Sequence, residues 1–135
     1  MYHKCISSNR VVVTGAAGWI GQAVCRYLLS EGKQVIALDR EGSTGEWSEF
    51  IAIDIASDAG MSAARASELV SGADALIHCA GYAHRPIETP EEIERFFAIN
   101  REGTSRVVDL CEAVGISRVV YLSSIAFYDW ELLAG

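Results

Sequence analysis

At 135 residues, with 50% hydrophobic and 21% charged side chains, the chain has the make-up of one globular domain or part of one, which excludes a disordered or fibrous polypeptide. Eighteen acidic residues against eleven basic ones leave a formal net charge of −7, and no basic stripe is available to release counterions, so nucleic acid is not an expected partner. There is no apolar run of about 18 residues, so no membrane partner is expected either. Residues 1–10, MYHKCISSNR, lack the apolar stretch of a secretory leader. The four cysteines, Cys5, Cys25, Cys79 and Cys111, form no Cys-x-x-Cys pair. A metal site is therefore not expected, and reduced thiols fit a cytoplasmic protein.

Short apolar runs alternate with amphipathic stretches, the pattern of βαβ units on a parallel sheet. Arg10–Thr14 (RVVVT) is a β-branched run without alternation, suited to a strand buried on both faces. Gly18–Ser30 then spaces Ile20, Ala23, Val24, Tyr27 and Leu28 as a helix, with Gly32 as its stop. Gln34–Leu38 is a second strand, residues 40–49 a polar loop, and Phe50–Ile53 a short third strand. Met61–Ser71 is expected to be a modest helix, and Ala73–His78 a fourth strand. Thr89-Pro90-Glu91-Glu92 is a helix start: threonine caps, proline suits the first helical position, and Glu92 completes a capping box. From there Ile93, Phe96, Phe97, Asn100, Thr104, Val107, Val108, Cys111 and Val114 trace one face of a long helix ended by Gly115, and Arg118–Leu122 is a fifth strand. No internal repeat or linker interrupts the run. The expected fold class is α/β, a Rossmann-type doubly wound parallel sheet of about five strands, with residues 1–135 forming one domain.

Thr14-Gly15-Ala16-Ala17-Gly18-Trp19-Ile20-Gly21 leaves a strand and opens a helix. Its first glycine allows a tight turn, its second lets backbone approach a pyrophosphate, and its third permits close helix–strand packing. The helix start adds unpaired N–H groups and the positive end of a dipole. Asp39, about 20 residues further on, has the position of an acid that bonds the adenosine ribose hydroxyls and repels a 2′-phosphate. NAD is thus favoured over NADP, although Arg40 beside it could accept a 2′-phosphate.

These residues resemble the extended short-chain dehydrogenase/reductases, and within them the NAD-dependent epimerase/dehydratases acting on nucleotide sugars. The resemblance runs from about Arg10 to Tyr128 and rests on TGxxGxxG spacing, distinct from the GxGxxG of ordinary dehydrogenases. It implies that Gly15, Ala17, Gly18, Trp19, Ile20 and Gly21 hold the cofactor phosphates, with Asp39 and Arg40 at the ribose. It places Asp54-Ile55 at the adenine. Cys79-Ala80-Gly81, after His78, then lines the cofactor, while His78 itself reads as structural rather than catalytic. Asn100 matches a family asparagine near the cofactor, or else is satisfied within the core. In Tyr121-Leu122-Ser123-Ser124-Ile125-Ala126-Phe127-Tyr128, Ser123 falls at the cofactor and Ser124 at the position of the catalytic serine or threonine. Asp129 stands where the family has glycine.

The family removes a hydroxyl proton with a tyrosine whose pKa is lowered by a lysine four residues later. No such pair occurs here: the only lysines are Lys4 and Lys33. The pair is expected beyond Gly135, as are the later strands and the substrate lobe, so the chain is expected to be either a truncated front half or a natural remnant that no longer catalyses, inactive alone in both cases, with Val119, Val120 and Leu122 on an exposed edge. The implied partner is a nucleotide-sugar-like small molecule, with a homodimer through the long helix. Arg85, in Tyr82-Ala83-His84-Arg85-Pro86, is placed to meet a diphosphate or to be a solvated loop charge. Two alternatives stay open. One is a non-catalytic dinucleotide-binding or sensor module, and the other a reductase or hydroxysteroid-type dehydrogenase of the same group.

Overall fold

The computed structural model describes residues 10–42, 44–83 and 86–123. Its strands are β1 (Arg10–Thr14), β2 (Gln34–Asp39), β3 (Glu49–Ala52), β4 (Ala75–His78) and β5 (Val119–Tyr121), in one all-parallel sheet of order β3-β2-β1-β4-β5. Helices α1 (Trp19–Ser30), α2 (Ser62–Arg65), α3 (Glu68–Ser71), α4 (Pro90–Phe97) and α5 (Thr104–Val114) connect them. This is the doubly wound Rossmann architecture.

The β-branched strands are buried on both faces, as their unbroken apolar runs require. Val12, Ile36, Leu38 and Leu76 point to one side, where they pack with Met61, Val70, Val107 and Leu110. Val11, Val13, Val35 and Ala37 point to the other, against Ala16 and Cys25. Burial pushes the Cys25 thiol up to about 11, with the neighbouring Cys79 adding to the rise and Arg26 opposing it. Gly115 closes α5 in the left-handed conformation (φ 78°), and Ile116 N–H donates to the Cys111 carbonyl at 2.9 Å behind it. No helix among the described residues is long and apolar enough to cross a membrane.

Two expected helices differ in the structure. The stretch Met61–Ser71 is broken into α2 and α3, after a 3₁₀ turn at Ala59–Met61. Ser67, with extended backbone (φ −84°, ψ 121°), separates them; serine competes poorly inside helices and well at their starts. The long helix is interrupted by a π segment, Ala98–Gly103. Such a widened turn rotates the residues that follow it around the helix. Past the segment, Leu110 is buried beside Val107 and Cys111, whereas Val108, assigned to the apolar face from spacing, is exposed; Ile93 and Phe97, ahead of the segment and assigned to the same face, are exposed as well. The capping box at Thr89 is present: Glu92 N donates to Thr89 Oγ1 at 3.2 Å, and Glu92 Oε2 accepts from Thr89 N at 3.0 Å. The amides of Glu88 and Thr89 hold the Glu92 carboxyl below its usual range. In β5, Val119, Val120 and Tyr121 are exposed, and Leu122 beyond it is too.

Candidate cofactor site

Successive strands run outward from β1 to β3 on one side, and β4 and β5 lie on the other. The order therefore reverses between β1 and β4, and in such sheets the ligand crevice lies beyond the carboxyl ends of the strands at that point. Thr14, Leu38, His78 and Tyr121 share one register level at this edge.

The glycine loop is fixed by close backbone approach. Gly15 has φ +65°, and a Cβ there would stand 2.5 Å from Ala80 N and 2.6 Å from Ala80 Cα. A Cβ on Gly21 would strike the Gly15 carbonyl oxygen, so α1 and the loop touch backbone to backbone. Ala17 is held from two sides, its N–H donating to Asp39 Oδ2 at 3.0 Å and its carbonyl accepting from Gln22 Nε2 at 2.8 Å. Asp39 Oδ1 accepts from Arg40 N at 2.7 Å. No side chain caps α1, and Gln22 N to Gly18 O is its first closing bond, so the first-turn N–H groups keep no side-chain acceptor.

A cavity of about 250 Å³ opens beside this loop. Of the residues expected from sequence, Gly15, Gly18, Asp39, Arg40, Asp54, Ile55, Cys79, Ala80 and Gly81 line it. Ala17 and Gly21 act behind the wall, as described. The Trp19 and Ile20 side chains point outward, 92% and 57% exposed, leaving only their backbone to serve a phosphate. Ser123 is exposed just past β5 and away from the cavity wall. Ser124 and Arg85 lie outside the described residues. Leu38, Ile53, Tyr82, Ala83, Arg95 and Ile99 also line the cavity and were not assigned to the cofactor from sequence. Ile99 and Arg95 sit four apart, neighbours on one helix surface, and that spacing is the signal that could have nominated them together.

The opposite wall hangs on a buried polar chain. His78, 2% exposed, meets Thr14 Oγ1 through Nδ1 at 2.6 Å and Thr104 Oγ1 through Nε2 at 3.0 Å. Thr104 Oγ1 donates to the Asn100 carbonyl at 2.8 Å, so it must accept from His78 Nε2–H. Nδ1 is then the acceptor for the Thr14 hydroxyl, which itself accepts from Ala80 N at 3.3 Å. Every member is satisfied with a neutral imidazole, and burial pulls the His78 pKa down to about 4. Asn100 lies off the cavity wall but clamps it: Oδ1 accepts from Tyr82 N at 2.7 Å and Nδ2 donates to Tyr82 O at 2.9 Å. Burial raises the Cys79 thiol, which leaves it protonated and a poor nucleophile near neutral pH. Among the described residues no group of three or more His, Cys, Asp or Glu side chains is placed to share a metal ion.

Residues 11–132 match the NAD dependent epimerase/dehydratase family, and the chain belongs to it. It is 32% identical over 117 residues to a 2-alkyl-3-oxoalkanoate reductase of Stenotrophomonas maltophilia, covering 85% of this chain and 33% of that protein. It is 28% identical over 131 residues to a UDP-glucose 4-epimerase of Klebsiella pneumoniae, covering 88% and 91%. Its fold is similar to that of MoeE5 in complex with UDP-glucose and NAD, with TM-score 0.71, 28% identity, and coverage of 89% of this chain and 38% of that one. The chain spans 12% to 35% of the length of several curated relatives that it matches.

Proposed function

We propose that this chain holds NAD across the carboxyl ends of β1 and β4 and is the cofactor half of a nucleotide-sugar epimerase or dehydratase. The observation that carries this is the glycine loop pressed against Ala80, with the Asp39 carboxylate bonded to Ala17 N inside the same cavity wall. The residues present fit the dinucleotide. Gly15 and Gly21 let the loop pack backbone to backbone, Gly18 lines the cavity without a side chain where a pyrophosphate would lie, and the uncapped first turn of α1 supplies N–H donors. Asp39 offers a carboxylate to the adenosine ribose and opposes a 2′-phosphate, with Arg40 adjacent. Asp54, Ile53, Ile55 and Ile99 form an apolar slot with one acid for the adenine, and Cys79, Ala80 and Gly81 continue toward the nicotinamide side.

Bound NAD supplies a hydride acceptor in this family's chemistry. The chain's own contribution is to bind and orient, with Ser124 as the residue assigned to the substrate hydroxyl. The sequence contains no Tyr-x-x-x-Lys, the pair that takes the proton in this family, and these 135 residues are proposed to be inactive by themselves. That same feature favours a second reading, a dinucleotide-binding or sensor module without catalysis. Identity to the Stenotrophomonas reductase supports the alternative of a reductase of the same group. A homodimer through α4 and α5 is part of the proposal, supported by the exposed Ile93, Phe97 and Val108.

Calorimetric titration with NAD⁺ and NADP⁺ tests the cofactor reading. NAD⁺ is expected to bind at least about tenfold more tightly, and Asp39→Ala to erase the preference. A folded chain that binds neither dinucleotide overturns the proposal.

A further inference from the structure

Beyond the glycine loop, the cavity's second acid, Asp54, stands on the turn that leaves β3, and α5 grips this turn from behind. Gly103 lies so close to Ile55 that a Cβ there would stand 2.9 Å from Ile55 Cδ1 and Cγ1. Three residues on, Arg106 Nη1 donates to the Ile55 carbonyl at 2.9 Å, and its Nε donates to Asp58 Oδ1 at 3.0 Å. One helical face thus fastens both the side chain and the backbone of Ile55. The Arg106 side chain is 20% exposed and the Asp58 side chain 81%, so the ion pair itself adds little, and the bond to the part-buried carbonyl is the stronger restraint.

The turn held in this way orients the acid. Asp54 N donates to Gly60 O at 3.0 Å, and Asp54 Oδ1 accepts from Ala56 N at 2.9 Å. Its other oxygen, Oδ2, accepts no hydrogen bond among the described residues, and the residue lines the cavity. We infer that Arg106 is a positioning residue that sets the base preference of the cavity, by holding the turn that presents Asp54 and Ile55 to the bound purine. An ionised carboxylate only accepts, so it favours a purine carrying an exocyclic amine and disfavours one carrying a carbonyl at that edge. A site built around such a bond rejects the analogue that lacks the donor far more strongly than an apolar slot does. Arg106 does not line the cavity; it acts through Ile55 and Asp54.

The inference rests on the proposed cofactor reading, and the experiment separates the two. The full chain and Arg106→Gln are titrated with NAD⁺ and with nicotinamide hypoxanthine dinucleotide, which differs only in a carbonyl for the adenine amine. The unmutated chain is expected to prefer NAD⁺ by about tenfold, the worth of one charged hydrogen bond. In Arg106→Gln the preference is expected to fall to about twofold, with NAD⁺ itself weakened and the analogue hardly changed. Should that variant fail to fold, Arg106→Lys keeps the charge and the stem but not the paired N–H groups, and an intermediate ratio is expected. A variant with a lower melting temperature but an unchanged ratio overturns the inference, because a merely structural arginine would do that. NAD⁺ binding without base preference in the unmutated chain also overturns it while leaving the cofactor reading intact. No NAD⁺ binding at all removes both.

Discussion

The cavity has two walls built in different ways. The wall from β1 through α1 to β2 is assembled by backbone: the Gly15 turn rests on Ala80, Gly21 rests on Gly15, and one carboxylate, Asp39, ties the loop to the end of β2. All but Ala80 falls within residues 14–39. The facing wall, from β4 to α4 and α5, is assembled by side chains reaching across the fold, with His78 bonded to Thr14 and Thr104, and Asn100 to Tyr82. Backbone contact tolerates almost no added atom, whereas a satisfied polar chain tolerates shape change but not the loss of a partner. The two walls are therefore expected to fail differently.

The largest failure is expected at the first wall. Gly15→Ala places a Cβ at a left-handed φ and against Ala80 backbone, with no flexible neighbour to give way. A loss of about 3 kcal/mol of stability and of about 100-fold in NAD⁺ affinity is expected, read by urea unfolding and calorimetry. An alanine variant that binds normally would mean the loop is not held against β4.

The second wall is sensitive to protons. His78 is neutral in the fold with its pKa lowered to about 4 by burial, against 6.5 for the free group. Between those values the unfolded chain binds more protons than the folded one, so stability rises with pH across that window. His78 imposes no penalty above about pH 6.5, and its destabilisation grows as pH falls toward 4. The full shift corresponds to on the order of 3 kcal/mol. Unfolding of the unmutated chain and of His78→Asn is compared at pH 7 and pH 4.5. The variant is expected to lose less on acidification even though it starts lower, and equal slopes would show that the imidazole titrates normally.

The contrast between the walls also explains what was legible in the sequence. Gly15, Gly18, Gly21 and Asp39 could be placed in advance because their constraints are local and each admits very few residue types. The strand segments were readable for a similar reason, since β1 and β2 are unbroken β-branched or apolar runs. Arg95 and Ile99 were not readable as cavity residues. They come to the cavity only because α4 and the π segment Ala98–Gly103 pack beside β3 and the glycine loop, a tertiary placement that no local pattern announces. The break at Ser67 was missed because a run of alanines and serines carries little periodicity. The outward-facing Trp19 and Ile20 side chains show the limit of motif reading, which marks positions whose backbone matters without saying where their side chains point.

Asn100→Ala separates positioning from packing on the second wall. It removes both bonds that Asn100 makes to the backbone of Tyr82, a cavity-lining residue. About 1–2 kcal/mol of stability and about tenfold in NAD⁺ affinity are expected to be lost. Asn100→Asp keeps the acceptor for Tyr82 N and loses only the donor to Tyr82 O, so its affinity is expected between the two. If both variants bind like the unmutated chain, the Tyr82 clamp belongs to the core and not to the site.

The smallest effect is expected where α4 begins, and it supplies the control for the others. Thr89 Oγ1 accepts from Glu92 N at the end of the helix away from the π segment, and Thr89 does not line the cavity. Thr89→Ala removes one half of the capping box and is expected to cost about 1 kcal/mol in urea unfolding. Because α4 remains anchored at its other end through Asn100 and Thr104, NAD⁺ affinity is expected to stay within about twofold. Loss of stability without loss of affinity would show that binding tracks the Asn100–Tyr82 clamp and not the stability of α4 as a whole. A parallel fall in both would mean that fraying at Thr89 propagates to the cavity, and that the second wall is a single cooperative unit from the cap to α5.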